Sequence, residues 1–257
     1  MKPIKAVIFD WAGTTVDYGC MAPIHAMSYA FSKAKLTVSL PDIRKPMGML
    51  KVDHIKAILE FPNIQKHFMD QYQRRYTEQD VQAIYNSFEQ SIFKTLDDHA
   101  TLIPGILYLQ EFLRNKKIKI GTTTGYTQKM LAIVANKAKE QGYEPDANIA
   151  SDQVKQGRPY PHMIRRIMEE LAVNDSQQVV KVGDTLVDIQ EGLQAGCFSV
   201  GVIQGSSMMG LTENETAGLS PSELKHKMSQ VKHAMLDAGA HAVIDSIGEL
   251  SSIVSTI

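Results

Sequence analysis

Short apolar runs recur along the chain and alternate with longer amphipathic stretches, and this alternation restricts the fold more than any other feature. The runs lie at residues 4–9, 118–123, 147–150, 179–183, 198–203 and 242–244. Each run is almost continuously apolar, which is typical of strands that are buried on both faces of a parallel sheet. Strand, helix and strand in repetition predict an α/β protein with a doubly wound, Rossmann-like parallel sheet.

Helices are predicted between several of these strands. The stretch 104–116 starts with Pro104, a residue that suits the first helical position. The stretches 127–141 and 186–195 are followed by Gly142 and Gly196, and glycine is a common helix stop.

The segment between the first two strands does not follow the alternation. Helical patterns occupy 23–33, 50–59, 64–76 and 77–96, with no convincing strand among them. We interpret residues 20–99 as an inserted all-helical cap, and residues 1–19 and 100–257 as the α/β core domain. Open sheets of this class bind ligands at the carboxyl ends of their strands, so a cap there can close over a site and exclude water.

Composition excludes several classes of protein. Charged residues make up 21%, the net charge is −1 and the pI is about 6.7, so a nucleic-acid partner is not expected. Two distant cysteines indicate neither a disulfide framework nor a zinc site. We expect no signal peptide and no membrane span, and therefore a cytoplasmic location.

Residues 205–222 are rich in Gly, Ser and Thr and predict either an ordered loop near the site or a mobile surface loop.

Asp10 follows the first apolar run directly, in the sequence VIFDWAGTT. A carboxylate at the carboxyl edge of a sheet can bind a metal ion and can also attack phosphorus. The glycine and threonines that follow suit a turn whose amides face an anion. The alternative is that Asp10 is only a turn or capping residue.

A second acidic pair, Asp184 and Asp188, follows the strand at 179–183. Magnesium prefers hard oxygen ligands, so Asp10, Asp184 and the backbone carbonyl of Ala12 are predicted to bind Mg2+, with Asp188 as a supporting acid. The alternative for the pair is helix capping and complementation of the helix dipole.

Two further residues have the chemistry of phosphate contacts. Thr124 lies in TTTG at the end of the second strand, where a hydroxyl and free amides can bind a phosphoryl group. Arg158, in KQGRPYP, can place its planar guanidinium on two phosphoryl oxygens. The alternatives are an ordinary strand threonine and a surface arginine.

In this order, Asp10, Thr124, Arg158 and the Asp184–Asp188 pair resemble the motifs of the haloacid dehalogenase superfamily. Over nearly the whole chain the similarity is closer to the phosphonatase family within it. The segments that carry this similarity are VIFDWAGTTVDYG, RKPMGMLKVDHI, GTTTGYT, GRPYP and KVGDT. The resemblance implies hydrolysis of the C–P bond of phosphonoacetaldehyde, with Mg2+ as cofactor and a homodimer formed through the cap.

The position two residues after the nucleophile departs from the wider superfamily, whose phosphatases usually carry an aspartate there as general acid and base. Here it is Ala12, which argues against a phosphomonoester phosphatase or a sugar-phosphate mutase, the alternative activities. The resemblance instead implies that Lys51 forms a Schiff base with the aldehyde, and that His54 moves protons. By themselves, these two residues would be interpreted as a solvated helix lysine and a structural histidine.

Four lesser candidates complete the predicted site. Cys20 and Met47 are predicted to line the aldehyde pocket, with simple packing as the alternative. Tyr126 either hydrogen-bonds at the site or packs against the cap. Gly48 either lets the cap backbone approach the substrate or forms a plain turn. A catalytically silent module that binds a phosphometabolite is the alternative from another functional class.

Overall fold

The computed structural model describes residues 2–257, so Met1, the first residue of the predicted core, lies outside the described residues. Six parallel strands form one sheet in the order β3-β2-β1-β4-β5-β6. The strands are β1 (Ala6–Phe9), β2 (Lys119–Thr124), β3 (Ala147–Ala150), β4 (Val179–Gly183), β5 (Phe198–Val202) and β6 (Ala242–Ile244). The α/β fold class predicted from the apolar runs is confirmed, with β1 between β2 and β4 in the middle of the sheet.

Twelve α-helices accompany the sheet in the described residues. In the core they are α6 (Ile106–Asn115), α7 (Gln128–Glu140), α8 (His162–Glu170), α9 (Leu186–Ala195), α10 (Glu213–Ala217), α11 (Pro221–Asp237) and α12 (Leu250–Thr256). Between β1 and β2 they are α1 (Met21–Lys33), α2 (Leu40–Arg44), α3 (Lys51–Leu59), α4 (Pro62–Tyr72) and α5 (Glu78–Ile92), which we call the cap.

One apolar cluster joins the cap to the sheet. It extends from Val7 and Phe9 of β1 to Phe31 of α1 and Phe88 of α5. Burial of this shared surface holds the cap against the carboxyl ends of the strands. The division of the chain at residues 19/20 and 99/100, the homodimer and the cytoplasmic location stay predictions. None of the helices in residues 2–257 combines the length and apolarity that crossing a membrane requires.

Most predicted helices have one or both boundaries displaced by one to four residues, and three of these differences illustrate the errors. Helix α6 starts at Ile106, because Gly105 adopts φ 97° and serves as its N-cap, so Pro104 precedes the helix. Helix α4 ends at Tyr72 and not at residue 76, because Gln73 turns into the left-handed conformation with φ 53°. Helix α5 ends at Ile92 and not at residue 96.

The Gly- and Ser-rich stretch 205–222 contains helix α10 and the start of α11, so much of it has regular structure. Ser206 and Ser207, near its beginning, are 0% and 1% exposed. This part of the stretch is therefore a buried core loop and not a mobile surface loop.

Candidate active site

The predicted site residues meet where the cap faces the carboxyl ends of β1, β2 and β4. Ten of them line one small cavity of about 20 Å3. The ten are Asp10, Ala12, Cys20, Met47, Gly48, Lys51, Thr124, Tyr126, Arg158 and Asp184. His54 and Asp188, which complete the predicted set, are both 0% exposed. A cavity of this size holds little more than a water molecule, so the cap is in a closed position.

Asp10 and Asp184, which line the cavity, form an acidic cluster with Asp188. Oxygens of Asp10, Asp184 and Asp188 lie within 4.8 Å of one another. Glycines make this approach possible, because a Cβ atom on Gly13 would lie 2.4 Å from Asp184 Oδ2 and one on Gly183 would lie 2.3 Å from the Cβ of Asp188. Neither glycine can therefore carry a side chain without moving a carboxylate.

Asp184 is oriented by two neutral donors. The Ser207 amide donates to its Oδ2 at 2.7 Å, and the Thr14 hydroxyl donates to its Oδ1 at 3.3 Å. Burial raises the pKa of Asp184 well above its usual range, and the nearby Asp10 and Asp188 raise it further. A bound cation would lower the pKa of Asp184 and stabilise its ionised form, so this carboxylate is suited to binding a cation.

Arg158 is enclosed by protein groups. Its Nε donates to Glu191 Oε2 at 2.9 Å, and its Nη2 donates to the carbonyl and hydroxyl oxygens of Thr123 at 2.8 and 2.7 Å. Its Nη1 lies 2.7 Å from Asp10 Oδ1 and 3.1 Å from Asp188 Oδ1. Burial alone would lower the pKa of Arg158, but the three carboxylates raise it overall. The guanidinium is thus a permanent charge that is held beside the predicted nucleophile.

Two charged residues behind the site were missed by the sequence analysis. Lys181 of β4 lies with its Nζ 2.9 Å from Asp188 Oδ1 and 3.3 Å from Glu191 Oε2, and it donates to the Thr123 hydroxyl at 3.0 Å. The side chains of Lys181 and Glu191 are 1% and 0% exposed. Sequence signals existed, since a lysine interrupts the apolar run VVKVG and a glutamate follows Asp188 by three residues on one helix.

The charges of this buried cluster do not balance within the protein. When all groups are ionised, four carboxylates face two cations, which leaves an excess of two negative charges. The carboxylates are Asp10, Asp184, Asp188 and Glu191, and the cations are Arg158 and Lys181, with the buried Lys51 of the cap counted as a neutral amine. Uncompensated buried charge is costly, and one divalent cation would restore neutrality. The hard oxygen donors and the excess of negative charge fit a divalent metal ion.

Asp188 and Asp10 differ in how far nearby protein cations compensate their negative charge. The ion pairs with Arg158 and Lys181 lower the pKa of Asp188 against the effect of burial. Burial raises the pKa of Asp10, and Arg158 opposes this only in part. The negative charges of Asp10 and Asp184 are therefore not fully compensated by protein cations, whereas Arg158 and Lys181 compensate the charge of Asp188.

Lys51 enters the cavity from the cap as the first residue of α3. It is 3% exposed, and its Nζ lies 5.3 Å from the centroid of the Tyr126 ring. Burial lowers the pKa of the amine from its usual value of 10.5. Desolvation thus increases the neutral, nucleophilic fraction of this lysine.

His54 packs on the same side of α3 as Lys51. Its Nε2 lies 2.8 Å from the carbonyl oxygen of Ile43, which places the ring proton on Nε2. Its Nδ1 is buried and has no hydrogen-bond partner in residues 2–257. Burial, and then the charge of Lys51, lower the pKa of His54 to about 3. The ring is therefore neutral near pH 7, with a free lone pair on Nδ1.

The remaining predicted residues shape the wall of the cavity. Gly48 has φ 90°, and a Cβ atom there would lie 2.7 Å from Thr185 Oγ1 on the core. Burial raises the pKa of the Cys20 thiol and of the Tyr126 phenol well above their usual values, so both are neutral. The Thr124 hydroxyl oxygen accepts from the Tyr126 amide at 3.1 Å, which leaves the hydroxyl proton free to be donated.

Comparisons with known proteins identify the family of this chain. A family model described as haloacid dehalogenase-like hydrolase matches residues 4–196. Phosphonoacetaldehyde hydrolase from Parabacteroides distasonis is 45% identical over 258 residues, which cover 100% of this chain and 98% of that protein. A bifunctional phosphonoacetaldehyde hydrolase/aminoethylphosphonate transaminase from Clostridioides difficile is 45% identical over 256 residues, and the chain spans 40% of its length.

Solved structures show the same relationship. The crystal structure of a phosphonoacetaldehyde hydrolase-like protein from Oleispira antarctica has a TM-score of 0.96 and 34% identity, and the match covers 98% of this chain and 92% of that one. A hydrolase from Pseudomonas syringae, with a TM-score of 0.69 and 17% identity over 98% and 99% of the two chains, shares the fold alone. The chain therefore belongs to the haloacid dehalogenase-like hydrolases and, within them, to the phosphonoacetaldehyde hydrolase family.

Proposed function

We propose that this enzyme cleaves the C–P bond of phosphonoacetaldehyde to give acetaldehyde and phosphate. The observation that carries the proposal is Lys51, a buried amine with a lowered pKa that lines the same cavity as Asp10. The names of the full-length relatives support the choice of substrate.

The Lys51 amine allows C–P cleavage because it converts the aldehyde into an imine that can accept the electron pair of the C–P bond. Direct rupture of the C–P bond would expel a carbanion, which is too unstable to leave. The neutral Lys51 amine instead attacks the aldehyde carbon, water is lost, and a protonated imine forms. Asp10 then attacks phosphorus, and the electron pair of the C–P bond moves into the imine to give an enamine. Protonation of the enamine carbon and addition of water release acetaldehyde and free Lys51.

Water completes the reaction by attacking the aspartyl phosphate, which releases phosphate and regenerates the Asp10 carboxylate. We propose His54 as the group that exchanges protons with the Lys51 adduct, because its Nδ1 lone pair is free and buried. The free Thr124 hydroxyl proton is suited to donate to a phosphoryl oxygen.

We propose Mg2+ as the divalent ion, held by Asp10, Asp184 and the carbonyl of Ala12. Magnesium prefers oxygen ligands and, when bound, offsets the negative charge of the phosphoryl group as Asp10 approaches it. Asp188 serves this site indirectly, since its ion pairs at 3.1 and 2.9 Å hold Arg158 and Lys181 in place.

Ala12 separates this proposal from a phosphomonoesterase or a mutase. Its methyl group lines the cavity where those enzymes carry an acid, so nothing at this position can protonate an alkoxide leaving group. An enamine leaving group gains its proton on carbon after C–P cleavage, so it has no need of an acid there.

The test is borohydride trapping with phosphonoacetaldehyde and Mg2+, followed by digestion and mass spectrometry. We expect a reduced two-carbon adduct on Lys51, and we expect Lys51→Arg to lose turnover of the aldehyde. Lys56→Arg, on the same helix but 38% exposed and paired with Glu78, is the matched control and should keep its activity.

Near-normal turnover by Lys51→Arg would refute the Schiff base. Hydrolysis of phosphate esters without an adduct on Lys51 would favour the phosphomonoesterase. Binding of substrate and Mg2+ without release of phosphate would favour a silent binding module.

A further inference from the structure

Arg44, the last residue of α2, is a cap side chain that bonds to the core. Its Nη1 donates to the carbonyls of Gly19 and Ser207, both at 3.0 Å, and its Nη2 donates to the carbonyl of Gly210 at 3.2 Å. Gly19 lies where the chain passes from the core into the cap, and Ser207 and Gly210 lie in the loop that follows β5. One half-buried guanidinium therefore joins the cap, the crossover and a core loop.

The core loop, residues 205–211, packs closely against the crossover. The Gly205 carbonyl accepts from the Gly19 amide at 2.7 Å. A Cβ atom on Gly19 would lie 2.3 Å from the Leu211 carbonyl oxygen, and one on Gly210, where φ is 68°, would lie 3.0 Å from Arg44 Nε. Both glycines are thus required for these close contacts.

Ser207 is held at both of its backbone polar groups. Its carbonyl accepts from Arg44, and its amide donates to Asp184 Oδ2 at 2.7 Å. The loop therefore connects the cap arginine to the Asp184 carboxylate through a single residue. Residues that hydrogen-bond to metal ligands in this way set the orientation of those ligands and tune the affinity for the metal.

We propose that Arg44 is a positioning residue that couples closure of the cap to the metal site. With the cap closed, Arg44 holds the 205–211 loop so that the Ser207 amide orients Asp184. When the cap opens, Arg44 leaves its carbonyl partners and Asp184 loses that support. The inference rests on the proposed function in one respect, that Asp184 binds Mg2+.

The competing explanation is that Arg44 is only a structural clamp. Such a clamp would contribute to stability and to cap closure, but its loss would leave the affinity for Mg2+ unchanged. The affinity of the full chain for Mg2+, measured without substrate, therefore separates the two roles.

The experiment is a titration of the purified protein with MgCl2, followed by isothermal calorimetry and by the fluorescence of Trp11. Trp11 is the single tryptophan of the chain, is 0% exposed and directly follows Asp10, so it reports on the site. We expect Arg44→Met to weaken Mg2+ binding by about 10-fold, the lower end of the range for outer-shell partners of metal ligands. Arg44→Lys should fall between this variant and the wild type, because an ammonium group lacks the planar fork.

One further variant keeps the test independent of the folding of Arg44→Met, and another serves as the control. Gly210→Ala places a Cβ atom 3.0 Å from Arg44 Nε, so the guanidinium must shift although Arg44 itself is retained, and this variant should also weaken Mg2+ binding. Arg114→Met removes an exposed arginine that donates to the Glu144 carbonyl at 2.7 Å on the core, and it should bind Mg2+ as the wild type does. Circular dichroism checks that each variant is folded.

Unchanged Mg2+ affinity, within about twofold, in the folded Arg44→Lys and Gly210→Ala variants would overturn the coupling and leave the proposed function standing. Absence of Mg2+ binding by the wild type would overturn both. Partial rescue of the turnover of Arg44 variants by excess Mg2+ would support the coupling, because a structural clamp predicts no such rescue.

Discussion

The buried lysine of β4 offers a sharp test of how the charges of the site are organised. Lys181→Met retains most of the length of the side chain but removes its charge. Asp188 and Glu191, whose oxygens lie 2.9 and 3.3 Å from the Lys181 Nζ, would each lose a positive partner. Both carboxylates are 0% exposed, so water cannot replace the lost partner.

The size of the effect follows from this burial. Removing one partner of a buried ion pair costs about 3–5 kcal/mol of the free energy of unfolding, because a charge is left uncompensated. Arg158 remains beside both carboxylates, at 3.1 and 2.9 Å, so we expect about 3 kcal/mol, the lower end of that range. For a chain of this size such a loss lowers Tm by roughly 6–12 °C.

The assay is chemical unfolding of Lys181→Met, Glu191→Gln and the double variant at neutral pH. The loss in the double variant should be smaller than the sum of the single losses by about 1–3 kcal/mol, because a neutral amide at position 191 no longer requires the lysine. Lys137→Met, which breaks an exposed ion pair with Glu140, is the control and should leave the stability unchanged.

Strict additivity of the two losses would refute the reasoning, since it would mean that Lys181 and Glu191 do not interact. Wild-type stability of Lys181→Met would refute it as well, because the amine would then contribute nothing to the balance of charge.

Two further predictions concern the cap and its crossover. Gly48→Ala places a Cβ atom 2.7 Å from Thr185 Oγ1 at φ 90°, so we expect a loss of about 1–3 kcal/mol in stability and a lower turnover. Gly142→Ala has a similar φ of 97° but an ordinary 3.6 Å contact, and a loss of turnover as large as that of Gly48→Ala would contradict the steric explanation. At the crossover, His99 Nδ1 lies 3.5 Å from Asp17 Oδ1, and this partner raises the pKa of His99 above 6.5. The stability of the wild type relative to His99→Gln should thus be greatest below pH 6.5 and decline as the pH rises through the raised pKa, and unfolding curves that show a pH-independent difference would contradict this.

The fold class and the residues that surround the cavity could be predicted from the amino-acid sequence alone. Apolar runs can be recognised locally, and three of the six predicted strands, β3, β4 and β6, have the bounds seen in the structure. Residues that directly follow such runs must lie at the carboxyl edge of the sheet, so Asp10 and Asp184 could be placed there in advance. Lys51 could be singled out only through the resemblance of its segment to a known family, because a helix lysine carries no local signal of burial.

The compensation of the buried charges depends on the tertiary structure and could not be predicted from the sequence. Lys181 interrupts an apolar run, and nothing local shows that its partners are Asp188 and Glu191 on the following helix. Arg44 donates to the carbonyls of Gly19, Ser207 and Gly210, which are 25, 163 and 166 residues away in the sequence. No local sequence pattern predicts these contacts. Such contacts depend on how whole elements pack, since the position of each polar group is set by burial of apolar surface elsewhere in the molecule. For the same reason, the neutral state of His54 and the close approach of Gly48 to the core required the folded chain.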